Sequence, residues 1–211
     1  MNKYLVEFIG TFFLVFTIGN VVIGGGAGVI PPLAIGSALM VMVYAGGHIS
    51  GAHYNPAVTL GVFLRGKCDA KDVVPYVLAQ VAGAAAAAGA VIFLRGTQEL
   101  AMAVGPDHPV VNVILAEVLF TFALVYVVLN VATAKGTENN SFYGLAIGFT
   151  VLAGAFTVGD ISGGVFNPAV AVGVCLMNII SWSSIWVYLV ANFGAAILAA
   201  IVFKFVNGAD D

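Results

Sequence analysis

Charged residues are scarce in this chain of 211 residues, of which only 8% are charged while 61% are hydrophobic. Soluble globular proteins carry about 25% charged residues, so the composition excludes an ordinary water-soluble domain. The seven basic residues are outnumbered by ten acidic ones, and a chain without a basic face does not bind nucleic acid. The composition therefore predicts a protein that is embedded in the lipid bilayer.

Cysteine is nearly absent as well. Cys68 and Cys175 are the only two cysteines and lie far apart in the sequence, which argues against a disulfide framework or a thiolate metal cluster. His48 and His53 are five residues apart, which is not a ligand spacing on a helix, and no thiolate or carboxylate joins them. We therefore expect neither a metal site nor a cofactor.

Long apolar runs are what the chain has in abundance. A transmembrane helix must cross about 30 Å of hydrocarbon, and six runs are long enough to do so: 4–24, 32–48, 73–94, 110–134, 142–159 and 182–206. Two more apolar runs, 56–64 and 168–178, are too short to span the bilayer. The sequence thus predicts an all-α membrane protein with six transmembrane helices and two re-entrant half-helices.

The two short runs begin with the same motif. The chain reads His-Ile-Ser-Gly-Ala-His-Tyr-Asn-Pro-Ala at 48–57 and Asp-Ile-Ser-Gly-Gly-Val-Phe-Asn-Pro-Ala at 160–169. Asn is a favoured N-cap and Pro is favoured at the first helical position, so each motif marks the start of a helix. The glycines before the motifs are expected to permit a tight, non-helical backbone; they are Gly46, Gly47, Gly51, Gly159, Gly163 and Gly164.

The motif is part of a longer internal repeat within one domain, 1–211. The first repeat covers 1–97 and the second covers 108–208, and an extracellular loop near 96–110 joins them. Each repeat contributes three spans, an odd number, so the second must be inserted upside down relative to the first. Broken helices in such inverted repeats are typical of transport proteins.

Glu7 and Glu117 occupy equivalent places in the two repeats, as the pairs Tyr76 with Tyr188 and Gln80 with Asn192 also do. Carboxylates within spans are costly and need partners. The two glutamates either form a proton or ion relay, or accept hydrogen bonds from the re-entrant loop of their own half. We favour loop support, and we expect His48 to order the first loop or to line the inner vestibule.

Basic residues predict the orientation of the chain. If both termini are cytoplasmic, then only Arg95 falls outside and the other six basic residues obey the positive-inside rule; these six are Lys3, Arg65, Lys67, Lys71, Lys135 and Lys204. We therefore expect a multi-pass protein of the plasma or inner membrane with cytoplasmic N- and C-termini.

These features together resemble the aquaporin, or major intrinsic protein, family. The resemblance rests on the paired Asn-Pro-Ala motifs, the Glu-x-x-Gly-Thr-Phe start at residue 7, the His-Ile-Ser-Gly run and Gln80. It implies a homotetramer in which each subunit has its own pore, lined at its centre by the two motifs: Asn55, Pro56, Ala57, Asn167, Pro168 and Ala169. Two half-helix dipoles would then oppose cations and protons at the pore centre.

The chain departs from this family at the outer constriction. Most members have Arg directly after the second motif, where this chain has Val170. By spacing from the motifs, the other constriction positions are Ile35, Ala155 and Gly164, where water-selective members have an aromatic residue, His and a small residue. The constriction should therefore be wide and apolar, as in atypical wide-pore bacterial members of the family.

The resemblance implies a passive channel for water and small neutral solutes such as glycerol, urea, ammonia or metalloid acids, and not an enzyme. One alternative is a strictly water-selective channel narrowed by other loop residues, for which Asp107, His108 and Asp160 are candidates. Another alternative is a non-conducting structural membrane protein of the same fold. The expected partners are the lipid bilayer and the permeating solutes.

Overall fold

A computed structural model describes residues 2–25, 30–97, 102, 104–105 and 107–208 of the chain. These residues form eight α-helices: α1 (Asn2–Gly24), α2 (Pro31–Ser50), α3 (Pro56–Arg65), α4 (Ala70–Arg95), α5 (Val110–Thr133), α6 (Tyr143–Ser162), α7 (Pro168–Leu176) and α8 (Ile185–Asn207). Two short 3-10 turns, Lys135–Thr137 and Trp182–Ser184, precede α6 and α8.

Helix length divides the eight helices into two classes. Six of them are long and apolar enough to cross a membrane, whereas α3 has 10 residues and α7 has 9. At about 1.5 Å per residue, each short helix covers roughly half of the hydrocarbon thickness. The predicted all-α fold with six spans and two short helices is confirmed.

The ends of α2 and α6 differ from the prediction. Both helices continue through Gly46, Gly47 and Gly159, so the expectation of non-helical backbone at these three glycines is wrong. Each helix ends only at the next glycine, Gly51 or Gly163, whose left-handed φ of 83° or 86° breaks the helix. Glycine adopts positive φ without steric cost, so the turn into each re-entrant loop begins there.

The re-entrant loops between these glycines and the half-helices carry backbone strain. Ala52 and Tyr54 in the first loop have a φ of 50°, and Phe166 in the second has a φ of 49°. Positive φ at such residues costs about 1–3 kcal/mol and persists only where the surroundings impose it. The surroundings of both loops must therefore hold the backbone firmly.

Each half-helix packs against helices of the other half of the chain. The main contacts of α3 are with α8 and α5 of the second repeat, and those of α7 are with α4 of the first repeat. Small residues permit the close approach: a Cβ on Gly61 of α3 would lie 2.5 Å from Val125, and one on Gly173 of α7 would lie 2.6 Å from Val15. The two half-helices are thus buried at the centre of the bundle.

Basic residues gather at one end of the bundle, which we call the N-terminal face because α1 begins there. At this face Lys3 pairs with Asp72, and the guanidinium of Arg65 lies 4.9 Å from the ring centroid of Phe203 in the last turns of α8. Arg95 lies at the opposite face, where its Nε donates a hydrogen bond to Asn20. The grouping of the basic residues agrees with the charge pattern in the sequence.

Candidate functional site

The two Asn-Pro-Ala motifs cap the half-helices through their asparagine side chains. The Oδ1 of Asn55 accepts a hydrogen bond of 2.8 Å from the backbone N–H of Ala57. The Oδ1 of Asn167 accepts one of 2.9 Å from the N–H of Ala169. Each asparagine has the extended backbone that an N-cap requires, and this geometry fixes the side-chain amide at the helix terminus.

The same asparagines join the two loops to each other. The Nδ2 of Asn55 donates to the carbonyl of Phe166, and the Nδ2 of Asn167 donates to the carbonyl of Tyr54, each at 2.9 Å. The N-termini of α3 and α7 therefore abut at the centre of the bundle. Since an amide carries two N–H groups, each asparagine keeps one further N–H for another acceptor.

Glu7 holds the first re-entrant loop. Its carboxylate accepts hydrogen bonds from the Ser50 hydroxyl (2.7 Å), from the backbone N–H groups of His53 (2.9 Å) and Tyr54 (2.7 Å), and from the Gln80 amide (2.8 Å). Four donors on two oxygens match the acceptor capacity of an ionised carboxylate. This network satisfies backbone groups that the bilayer could not.

Glu117 repeats the arrangement in the second loop. It accepts hydrogen bonds from the Ser162 hydroxyl (2.8 Å), the backbone N–H groups of Val165 (2.9 Å) and Phe166 (2.7 Å), and the Asn192 amide (3.0 Å). The carboxylate is fully buried. Of the two roles considered for these glutamates, the hydrogen bonds favour loop support over a relay, because every donor around each carboxylate belongs to its own half.

Two tyrosines and two serines complete the loop supports, and the sequence reading did not assign them this role. The hydroxyl of Tyr76 donates to the carbonyl of Ser50, and that of Tyr188 donates to the carbonyl of Ser162. The signal was present in the sequence, because these residues recur at matching positions in both repeats. Both serine hydroxyls donate to a glutamate of their own half.

His48 has a different position from the one expected of a loop support. It is exposed in the last turn of α2 and lines a cavity of about 750 Å³ at the N-terminal face, together with Lys67, Lys135 and Tyr143. Within the part of the chain that the structure describes, the first loop is held by Glu7, Ser50 and Tyr76 instead. In this structure His48 lines the cavity at the N-terminal face.

A central cavity of about 220 Å³ runs beside the two abutting half-helices. Both asparagines line it, and so do all four expected constriction positions: Ile35, Ala155, Gly164 and Val170. None of the described residues around it is Asp, Glu, Lys or Arg. His53 and Val128 line this cavity and the N-terminal one alike, so the two cavities adjoin at these side chains.

The loop residues that were candidates for narrowing the mouth lie elsewhere. Asp107 and Asp160 are exposed, and neither of them nor His108 is among the described residues that line the central cavity. Met102 of the same connecting segment lines it instead. The sequence offered no signal for this residue, because a single methionine in a connecting segment has no pattern.

Among the described residues, His, Cys, Asp and Glu form no group of three or more that could hold a metal ion. Cys68 is half-buried between α3 and α4, and its burial, reinforced by the nearby Asp72, raises the pKa of the thiol. Cys175 is buried in α7. The chemistry available at the site is therefore hydrogen bonding and dipole electrostatics along a cavity.

A comparison with known families agrees with this geometry. The family described as Major intrinsic protein matches residues 1–203, nearly the whole chain. The chain belongs to the major intrinsic protein family. Members of this family are passive channels and not enzymes, so the predicted membership and the absence of catalysis are confirmed.

Individual relatives in the major intrinsic protein family match almost the whole of this chain. The chain is 39% identical to "Glycerol uptake facilitator protein-like 6" of Lactiplantibacillus plantarum, covering 100% of both chains. It is 38% identical to "Aquaporin NIP1-1" of Zea mays, covering 98% of this chain and 75% of the relative. It is 34% identical to "Aquaporin AqpM" of Methanothermobacter marburgensis, covering 98% and 97%.

A solved structure gives the same fold. The X-ray structure of the aquaglyceroporin from Plasmodium falciparum superposes with a TM-score of 0.82 at 24% sequence identity, covering 97% of this chain and 95% of that chain. This similarity shows the fold. Membership of the major intrinsic protein family identifies the protein as a passive membrane channel for water and small solutes.

Proposed function

We propose that the chain conducts water together with small neutral solutes that are larger than water, through a wide and apolar outer constriction. The observation that carries this proposal is that Ile35, Ala155, Gly164 and Val170 line one cavity. None of these four side chains has a charge or a hydrogen-bonding group. Such a constriction selects solutes by size rather than by hydrogen bonding.

The residues at the constriction support solutes beyond water. The cavity as a whole, at about 220 Å³, has room for several waters at roughly 10–15 Å³ of probe-occupied volume each. The small residues Ala155 and Gly164 leave two sides of the constriction open. Glycerol, urea, ammonia and neutral metalloid acids are the solute classes that combine small size with no net charge.

The centre of the pore provides most of the barrier to ions. Each half-helix N-terminus carries roughly half a positive charge, and the free N–H groups of Asn55 and Asn167 add two donors that a cation cannot use. Val170 contributes no fixed charge to the outer mouth. An apolar wall offers no replacement for the hydration shell of an ion, which adds a desolvation barrier.

A strictly water-selective pore is the second candidate, and one observation favours it. Met102 lines the central cavity from the segment between α4 and α5, so the passage is narrower than the four constriction residues alone would leave it. The non-conducting alternative has less support, because the central and N-terminal cavities adjoin at His53 and Val128, which extends the passage toward the N-terminal face.

The test is stopped-flow light scattering on proteoliposomes with water, glycerol, urea and arsenous acid. We expect the wild type to conduct water and at least one larger solute, and Val170→Arg to suppress the larger solutes more than water. Val206→Arg is the matched control, because Val206 is 59% exposed in the last turn of α8 and receives the same charge away from the cavity. Equal suppression of all solutes by Val170→Arg would contradict a wide constriction.

Assembly and orientation belong to the same proposal. We infer a homotetramer with one pore in each subunit, located in the plasma or inner membrane with both termini cytoplasmic. The complete cavity within one chain supports separate pores, and six of the seven basic residues lie toward the N-terminal face, which supports the orientation. Native mass spectrometry should give a tetramer, and a monomer would contradict that inference. An impermeant maleimide should label Cys68 in inside-out vesicles but not in intact cells, and labelling in intact cells alone would contradict the orientation.

A further inference from the structure

We propose that Met102 is a fifth constriction side chain, which sets the upper size of the solutes that the pore admits. This inference rests on the proposed function, since it names a further determinant of the same solute selectivity. Met102 comes from the connection between α4 and α5 and nevertheless lines the central cavity together with the four constriction positions.

The backbone of Met102 is fixed on both sides. Its N–H donates to the carbonyl of Ile179 at 2.9 Å, and its carbonyl accepts a hydrogen bond of 2.8 Å from the N–H of Ser181. The two bonds form an isolated parallel bridge to Ile180. Because the segment 179–181 begins three residues after the end of α7, Met102 is tied to the half-helix that carries Val170.

A second attachment lies two residues further along. The N–H of Val104 donates to the hydroxyl of Ser184 at 2.9 Å, and Ser184 is 3% exposed at the start of α8. Two residues of the connecting segment are therefore bonded to the α7–α8 connection independently of each other. This arrangement holds the Met102 backbone at the cavity without any contribution from its own side chain.

The Met102 side chain reaches the second re-entrant loop at the constriction. A Cβ built on Gly163 would lie 3.3 Å from Ile180 Cδ1 and 3.8 Å from Met102 Sδ. Gly163 itself lines the cavity and directly precedes the constriction residue Gly164. The sulfur thus lies near the side of the passage that the two glycines leave open.

The chemistry of methionine suits the role of a size filter. Its unbranched side chain rotates about three bonds and adapts to irregular gaps. Of its neighbours, Ile180 is branched and Gly163 has no side chain. The thioether is at most a weak acceptor and donates no hydrogen bond. Met102 therefore opposes a solute by occupying space, and the resistance increases with the cross-section of the solute rather than with its polarity.

The experiment compares wild type, Met102→Ala and Met102→Phe in proteoliposomes, with water, urea, glycerol and xylitol as permeants of increasing size. One or two methylene groups in an apolar pocket discriminate by about tenfold, so Met102→Ala should raise the ratio of xylitol to water permeability by about that factor. Met102→Phe should lower glycerol permeability more than water permeability. Unchanged permeability ratios in both variants would overturn the inference.

Val104→Ala is the matched control, because it shortens an apolar side chain of the same segment that does not line the cavity, and it keeps the backbone bond to Ser184. We expect it to leave the permeability ratios of the wild type unchanged. An equal effect of Val104→Ala and Met102→Ala would assign the change to a loosened segment and so overturn the role of the Met102 side chain. A wild type that conducts no better than empty liposomes would instead refute the channel function itself.

A chemical test does not depend on the stability of the alanine variant. In a Cys68→Ser background, Met102→Cys should react with a small methanethiosulfonate reagent, and the modification should block glycerol flux more strongly than water flux. Cys175 is 2% exposed and should not react. Modification without any block, or a cysteine that is inaccessible in the folded channel, would overturn the inference.

Discussion

Replacing Glu117 by Gln tests whether the buried carboxylate holds the second re-entrant loop. Four donors approach the carboxylate within 2.7–3.0 Å. Glutamine keeps one carbonyl oxygen and replaces the other oxygen by NH₂, so two of the donors lose their acceptor and face another donor. No rotation of the amide can satisfy all four.

The magnitude follows from the hydrogen bonds that are lost. A hydrogen bond to a charged group contributes about 1.5–3 kcal/mol, and two such bonds disappear. Removing a buried charge also recovers part of its desolvation cost, which offsets some of the loss. Two such bonds are together worth about 3–6 kcal/mol, and we therefore expect Glu117→Gln to destabilise the protein by the lower end of that range, about 3 kcal/mol.

The assay for Glu117→Gln is unfolding with sodium dodecyl sulfate in mixed micelles, followed by circular dichroism, together with water permeability in proteoliposomes. The unfolding midpoint should fall, and water permeability should fall with it, because the loop that carries Asn167 loses its support. Glu138→Gln is the matched control, since Glu138 is exposed; its effect should stay within about 0.5 kcal/mol. If Glu117→Gln unfolded and conducted like the wild type, the carboxylate would not be the group that positions the loop.

Two other predictions concern packing and thiol chemistry. A Cβ on Gly46 would lie 1.9 Å from the Tyr54 hydroxyl, so Gly46→Ala should cost about 1–3 kcal/mol of stability, and Tyr54→Phe should restore part of it. Gly89→Ala is the control, because a Cβ there would have nothing within 4 Å, and it should leave the unfolding midpoint unchanged or raise it. Equal effects of the two alanine substitutions would contradict the packing argument. Burial raises the pKa of Cys68, so less thiolate is present at neutral pH. In a Cys175→Ser variant, maleimide should therefore label Cys68 more slowly than it labels free cysteine, and the labelling rate should increase as the pH rises. Labelling at the rate of free cysteine at pH 7 would contradict this prediction.

Hydrophobic length and local capping could be read directly from the amino acids. The six spans were predictable because each must cross the hydrocarbon by itself, and both half-helices were predictable because Asn-Pro sets a helix start locally. The ends of α2 and α6 were not predictable from glycine content alone. Gly46 lies within α2, and its missing side chain makes room for Tyr54. This contact joins residues eight positions apart, and no local pattern encodes it.

The sequence by itself determined the bilayer as the solvent, the number of spans and the starts of both half-helices, because these depend on composition and on local residue patterns. Only the tertiary structure decided which donors surround Glu7 and Glu117, that Asn55 and Asn167 each bond the opposite loop, and that Met102 reaches the cavity. These contacts join distant parts of the chain. They exist because buried polar groups must find partners wherever the packed helices bring them.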